Sequence, residues 1–133
     1  MKFNTKDLNP GVFFPFDEDK PDDGVTLRLV NTDLMTKVNK KTVKVKTEFR
    51  RGRQIEIRNE DERLREEMIW DYIIVDWHGV ENEAGETLPC NQENKYMLMR
   101  GSVWFASFIA DCTEILNDQS GKMAEDSEKN LLK

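Results

Sequence analysis

A chain of 133 residues, 38% hydrophobic and 35% charged, with a formal net charge of -6, has room for one domain around one core. That balance is globular with a wet surface, and no apolar run approaches the roughly 18 residues that a membrane span needs. The acidic balance weighs against general nucleic-acid binding, because phosphate contacts need a basic surface.

Residues 1–11 read as an irregular lead-in that ends on the turn signal Asn9-Pro10-Gly11. Val12 to Phe16 is a short apolar run. Pro15 has no amide hydrogen to donate, so this run is an edge strand or an extended arm. Asp17 to Gly24 is a polar turn rich in Asp, Pro and Gly. From Val25 to Val30, Val25, Leu27 and Leu29 alternate with Thr26 and Arg28 as in a half-buried strand, and the two runs pair as a hairpin. Asn31 or Thr32 can cap a helix in which Leu34, Met35, Val38 and Thr42 share one side and Lys37, Lys40, Lys41 and Lys44 the other. The period then changes to two: Val43, Val45, Thr47 and Phe49, then Ile55 and Ile57 after Arg51-Gly52. This predicts a second hairpin over residues 43–58 turning at Arg50 to Arg53, with a helix continuing to about Lys46 as the competing reading.

Asn59 to Glu62 resembles a capping box with an Asx-type cap. The helix that follows opens on two charged turns. From Met68 to Trp77 only Asp71 and Asp76 interrupt an apolar run, which predicts a helix end buried on most sides with those two carboxylates at its wet edges. The chain breaks at His78-Gly79, and a loop from Glu81 to Leu88 centres on Ala84-Gly85. Pro89-Cys90-Asn91 opens a helix to about Arg100, with Asn91 as its cap. Gly101 ends it and Ser102 caps the next. In that last helix Trp104, Phe105, Phe108, Ile109, Cys112, Ile115 and Leu116 recur at helical spacing. After Asn117 the sequence is polar and charged. The expected organisation is one globular domain over 1–117 and a flexible charged tail over 118–133. The fold class is α+β: a small antiparallel β-hairpin region packed on three to four α-helices.

Candidate chemistry is sparse. A histidine-based triad or a zinc site needs more than the lone His78, which sits at a helix end where it can meet terminal carbonyls. Cys90 and Cys112 form no CxxC pair and read as reduced thiols. EF-hand spacing fails, because placing Gly85 at the central position puts Val80 first, and the Asp19 to Gly24 stretch puts Pro21 third. Asp71 and Asp76 are poor evidence for acid/base catalysis in so acidic a chain. No catalytic, cofactor-binding or metal-binding residue is nominated, and no enzyme activity is expected. The basic segment is more informative. Nine basic residues, Lys37, Lys40, Lys41, Lys44, Lys46, Arg50, Arg51, Arg53 and Arg58, are opposed only by Glu48 and Glu56. They form either a solvated face balanced by the acidic helix after Asn59 or a docking surface for an acidic partner, with Lys40, Lys41, Lys44, Arg50, Arg51 and Arg53 as its contact residues. Nucleic acid is a weaker reading, since only Phe49 could stack there.

The segment Val75-Asp76-Trp77-His78-Gly79-Val80 through Gly85 to Pro89-Cys90-Asn91-Gln92-Glu93-Asn94 resembles a pattern in tail assembly chaperones of long-tailed bacteriophages and prophages. There Trp-x-Gly-Val leads through an acidic turn ending in Gly to Pro, a small capping residue and Glu-Asn opening a helix. The matching residues are Trp77, Gly79, Val80, Glu83, Gly85, Pro89, Cys90, Asn91, Glu93 and Asn94. The likeness extends over roughly residues 60–117 and is one of layout only over 12–58. The motif has a structural basis as well: Trp77 fills the core, Gly79 permits a sharp reversal, and Asn91 with Glu93 satisfies the first amides of the next helix. The resemblance implies a non-catalytic protein of the host bacterial cytoplasm, absent from the mature virion. It would bind the tape measure protein, keep it soluble until the tube forms, and possess a possible link to the tail tube protein. It implies no membrane partner and leaves self-association open. Two other readings stand beside it: another phage structural component such as a tail-completion protein, and a nucleic-acid-binding regulator using residues 37–58.

Overall fold

The computed structural model describes residues 1–131, with side chains described as far as residue 121. The chain runs β1 (Val12–Asp17), β2 (Lys20–Leu27), α1 (Thr32–Thr42), β3 (Val43–Arg50), β4 (Arg53–Glu60), α2 (Glu62–Ile73), β5 (Ile74–His78), α3 (Gln92–Gly101) and α4 (Val103–Leu131). The fold is α+β, with two separate antiparallel sheets: β1-β2-β5 and β3-β4. No described helix is long and apolar enough to cross a membrane.

β1 is an edge strand, the place where a strand can carry Pro15. Its partner β2 starts earlier than its apolar run suggests: Asp17 pairs with Lys20, so most of the polar stretch up to Gly24 is strand and the turn shrinks to Glu18-Asp19. Pairing with β1 outweighs the composition of that segment.

The larger departure is at the end of α2. The apolar run from Met68 to Trp77 is not one helix. α2 stops at Ile73, and Ile74–His78 forms β5, paired with β2. An apolar run broken only at Asp71 and Asp76 carries too little periodicity to tell a buried helix from a buried strand. Asp76 therefore lies on a strand, opposite Thr26, and is not the edge of a helix. Asp71 is not a merely wet position either. Its carboxylate accepts from the buried Lys95 ammonium at 3.2 Å and from the Gln92 amide at 3.2 Å, while Lys95 also donates to the Asp71 carbonyl at 3.0 Å. The helix cap moves as well. Asp61 accepts from the Leu64 amide at 3.1 Å, whereas Asn59 lies in β4 opposite Lys44.

β5 contains a bulge. Thr26 faces Asp76 but Leu27 faces Ile74, which leaves Val75 as an extra residue. Side chains three apart on a regular strand point to opposite faces; the extra residue returns both Ile74 and Trp77 to the same, inner face. They meet Val25 and Leu27 of β2 there, and α4 closes over them with Phe105, Ile109, Cys112 and Leu116. Trp77 is 5% exposed and meets Phe105 edge-on, with ring centroids 5.9 Å apart. The aromatic face expected on α4 is thus split: Phe105 and Ile109 are inside, Phe108 is half-buried and Trp104 is 60% exposed. α4 continues past Asn117 to Leu131. The expected tail of 118–133 therefore begins within this helix, and its side chains from residue 122 onward lie outside the described residues.

A polar cluster pins the irregular lead-in to the core. The Asn9 amide donates to the Leu29 carbonyl at 2.8 Å and to the Tyr72 hydroxyl at 3.0 Å, and Asn31 donates to the same hydroxyl at 2.8 Å. Arg28 lies over the Tyr72 ring, 3.7 Å from its centroid, and donates to the Tyr72 carbonyl at 2.7 Å.

Two outcomes follow for stability. Trp77→Ala should cost about 3–5 kcal/mol, the usual range for an emptied aromatic core site, whereas Trp104→Ala should cost about 1 kcal/mol or less; thermal unfolding of the two variants measures the difference. Gly79 adopts φ 78°, and a Cβ there would collide with the Asp23 carboxylate, while Gly85 has the same φ and nothing within 4 Å. Gly79→Ala should therefore lower the melting temperature more than Gly85→Ala, which bears only the backbone strain of about 1–2 kcal/mol.

Candidate functional site

The structural motif around Trp77 assembles as one connected unit. The Trp77 indole donates to the Leu88 carbonyl at 2.8 Å, closing the loop that Gly79 opens. Within it the Leu88 amide donates to the Val80 carbonyl at 2.8 Å, and the Asn82 side chain accepts from the Ala84 and Glu86 amides at 3.0 and 2.9 Å. Gly85 sits at the tip and donates to the Asn82 carbonyl at 3.0 Å. Pro89 follows, and Asn91 caps α3 by accepting from the Asn94 amide at 2.9 Å. The back-contact comes from Asn94, whose side chain donates to the Pro89 carbonyl at 2.8 Å. Glu93 lies in the first turn of α3, where a carboxylate favours the helix dipole, and makes no hydrogen bond among the described residues. This unit positions α3 and α4; it offers no reactive group. Burial pushes the Cys90 thiol up, against the opposing pull of Lys95, and burial pushes the Cys112 thiol up as well, so both favour the unreactive protonated form. Among the described residues no group of His, Cys, Asp and Glu side chains is arranged to hold a metal ion.

The basic segment forms an arm. α1 passes directly into β3, and β4 passes directly into α2, so the hairpin extends from the junction of two helices. The junction is built from Val38 and Thr42, both buried, with the Thr42 hydroxyl donating to the Val38 carbonyl at 2.7 Å. The Asp61 amide donates to the Thr42 carbonyl at 2.8 Å, and Arg65 donates to the Asn39 side chain at 2.7 Å. Nothing in the sequence periodicity singled out Thr42 or Asp61 as joints, because the Asp61–Thr42 and Arg65–Asn39 contacts join residues far apart in the chain.

Beyond the junction the arm is nearly bare. From Val43 to Glu60 only Val43, Glu48 and Ile57 are partly covered, and Phe49 is 77% exposed. The turn at Arg51-Gly52 has φ 53° and 75°, the pair of positive values that a two-residue turn of the primed type requires. Register places Lys44, Lys46, Glu48 and Arg50 on one face with Asn59, Ile57, Ile55 and Arg53. The opposite face carries Val45, Thr47 and Phe49 with Arg58, Glu56 and Gln54.

The six nominated cations fall into two groups. Arg50, Arg51 and Arg53 converge at the tip, where Arg50 and Arg53 are cross-strand partners. Lys40 and Lys41 occupy the last turn of α1, and Lys44 begins β3. Lys44 and Arg50 are separated by about 20 Å at the usual strand rise, so the six do not make one patch. Lys41 and Lys44 line a cleft with Glu60, Asp61 and Glu62 at the base. None of the six is ion-paired to the acidic first turns of α2 among the described residues: Arg50 pairs with Glu48 at 3.1 Å, Arg58 with Glu60, and Glu67 with Arg63 and Arg100. At the tip only Arg50 has a counter-charge, its neighbour Glu48, and Arg51 and Arg53 make no ion pair among the described residues.

Comparison with known proteins places these features in a lineage. Neither the curated proteins nor the solved structures contain a match. The model of the YdaY prophage protein family matches residues 26–130, a span that takes in the arm, the Trp77 unit, α3 and nearly all of α4. The chain belongs to the YdaY prophage protein family.

Proposed function

We propose that this prophage protein is a non-catalytic tail assembly chaperone that binds the tape measure protein and keeps it soluble during tail assembly. The observation that carries the reading is the bare, basic β3-β4 arm. An isolated two-stranded hairpin is marginal in water, and this one holds Val45, Phe49 and Ile55 in solvent beside three unpaired or weakly paired arginines. Such a surface suits an elongated partner with apolar and acidic residues, as a helical tape measure segment would present, and its charge would speed encounter. The resemblance of Trp77 to Asn94 to the chaperone pattern supports the same reading, and so does the prophage family. The protein would act in the host cytoplasm, hand its cargo to the tail tube protein and be absent from the finished particle.

Phe49 at the arm tip favours one competing reading, a regulator that stacks bases on the hairpin. The two differ in what the arm captures. Reversing Arg50, Arg51 and Arg53 to Glu should leave the thermal midpoint nearly unchanged, since exposed pairs such as Arg50–Glu48 are worth at most about 1 kcal/mol. The same variant should slow association with a tape measure fragment, with a difference from the native protein that vanishes at high salt. Surface plasmon resonance with the fragment and with single-stranded DNA decides it: unchanged fragment kinetics would remove the arm from the site, and arm-dependent capture of DNA alone would replace the chaperone reading with the regulator.

A further inference from the structure

A second exposed surface involves none of the arm's elements and carries the opposite charge. Phe16 of β1 packs its ring against Trp104 and Phe108 of α4, with centroids 5.8 and 5.3 Å away, and Trp104 stacks on Phe108 at 5.4 Å. The cluster is not closed: Trp104 is 60% exposed and its neighbour Val103 is 84% exposed. α4 is in fact amphipathic twice. Its core stripe is Phe105, Ile109, Cys112 and Leu116. A second stripe, Trp104, Phe108, Asp111, Ile115 and Asp118, follows the same spacing of four and three, one residue earlier and so about 100° round the helix. Of that second stripe only Phe108 is even half-buried.

We infer that this stripe is a docking site for a cationic amphipathic helix of another protein. The apolar members supply the area and the shape. A row at four-and-three spacing makes a ridge that the groove of a second helix accepts, and a large aromatic near its end is the residue type that most often dominates such contacts. The charges set the sign of the partner. Asp111 and Asp118 lie on the stripe itself, and Asp17, Glu18 and Asp19 follow Phe16 at the β1-β2 turn, with Lys20 as the local cation. None of these five carboxylates is ion-paired among the described residues, although Asp17 accepts from the Asp19 amide at 3.0 Å. The Trp104 ring, stacked on Phe108 and tilted against Phe16, is still 60% exposed, which leaves part of it open to a Lys or Arg head. A helix with Leu or Ile on one stripe and Lys or Arg along its flanks satisfies both requirements, and an acidic helix satisfies neither. The inference stands apart from the reading of the basic arm, which takes the opposite charge.

The test titrates the full chain with three synthetic peptides: one amphipathic helix of Leu and Lys, its Leu and Glu counterpart, and a Ser and Lys peptide of equal charge. Calorimetry measures affinity, and Trp104 fluorescence reports occupancy. The Leu/Lys peptide should bind and blue-shift the emission, and Trp104→Ala should weaken it at least about tenfold, the scale of an aromatic anchor. Asp111→Asn with Asp118→Asn should slow association and flatten its salt dependence. Arg50→Glu with Arg51→Glu and Arg53→Glu should leave this peptide's affinity unaltered, so failure here and failure of the arm reading are separable. The inference is overturned if the Leu/Lys peptide does not bind, if Trp104→Ala binds it equally well, or if the Ser/Lys peptide binds as tightly. It is also overturned if the native chain alone self-associates through Trp104, which would make a second copy's basic arm the occupant.

Discussion

The bulge at Val75 is the constraint on which the rest of the structure depends. It turns both Ile74 and Trp77 inward on a strand of five residues, and so lets so short a strand contribute two large side chains to one core. Trp77 then meets Phe105 with the two rings perpendicular and reaches Leu88 with its indole N–H. The first contact seats α4 on the sheet. The second closes the loop that delivers Asn91 to the start of α3. Remove the bulge and Trp77 would point to solvent, leaving α4 without its partner and the loop without its anchor.

That arrangement explains which parts of the fold were legible in the sequence and which were not. Elements with a local period were readable: α1, with Asn31 as one of two possible caps, the β3-β4 hairpin with its turn at Arg51-Gly52, although Val43 to Lys46 also read as helix, and α3 with its Asn91 cap all depend on neighbours a few residues away. β5 was hidden because only Asp71 and Asp76 interrupt the apolar residues from Met68 to Trp77, and two polar positions five apart mark neither a strand nor a helix period. The strand nature of Lys20 to Gly24 was hidden for the reverse reason, since its polar side chains are exposed and only pairing with β1 makes it a strand. Lys95 is the plainest miss. A lysine one helical turn past a cap reads as solvent-facing, and only the fold brings Asp71 to it. On α4 the sequence showed two overlapping apolar stripes as one, because aromatic spacing alone does not say which side meets the sheet.

The candidate site was legible as charge and not as geometry. Concentration of Lys and Arg between residues 37 and 58 is visible in the sequence. Its division into a tip and a base, and the absence of ion pairs to α2 among the described residues, come from the hairpin carrying Arg50 to Arg53 away from the acidic turns that follow Asp61. An acidic, partly aromatic face on α4 and a basic, partly aliphatic arm give this YdaY family member two surfaces of opposite sign on one small body.

The two-residue turn at Arg51-Gly52 also decides how the arm's apolar side chains are shared out. With Arg50 opposite Arg53, odd-numbered residues of β3 face even-numbered residues of β4, so Val45 and Phe49 lie on one side and Ile55 and Ile57 on the other. A turn longer or shorter by a single residue would shift that parity and gather all four on one side. The arm would then be a ribbon with one greasy face and two open edges, the form in which strands of separate molecules stack into aggregates. The length of the turn, as much as the charge around it, keeps the exposed arm in solution.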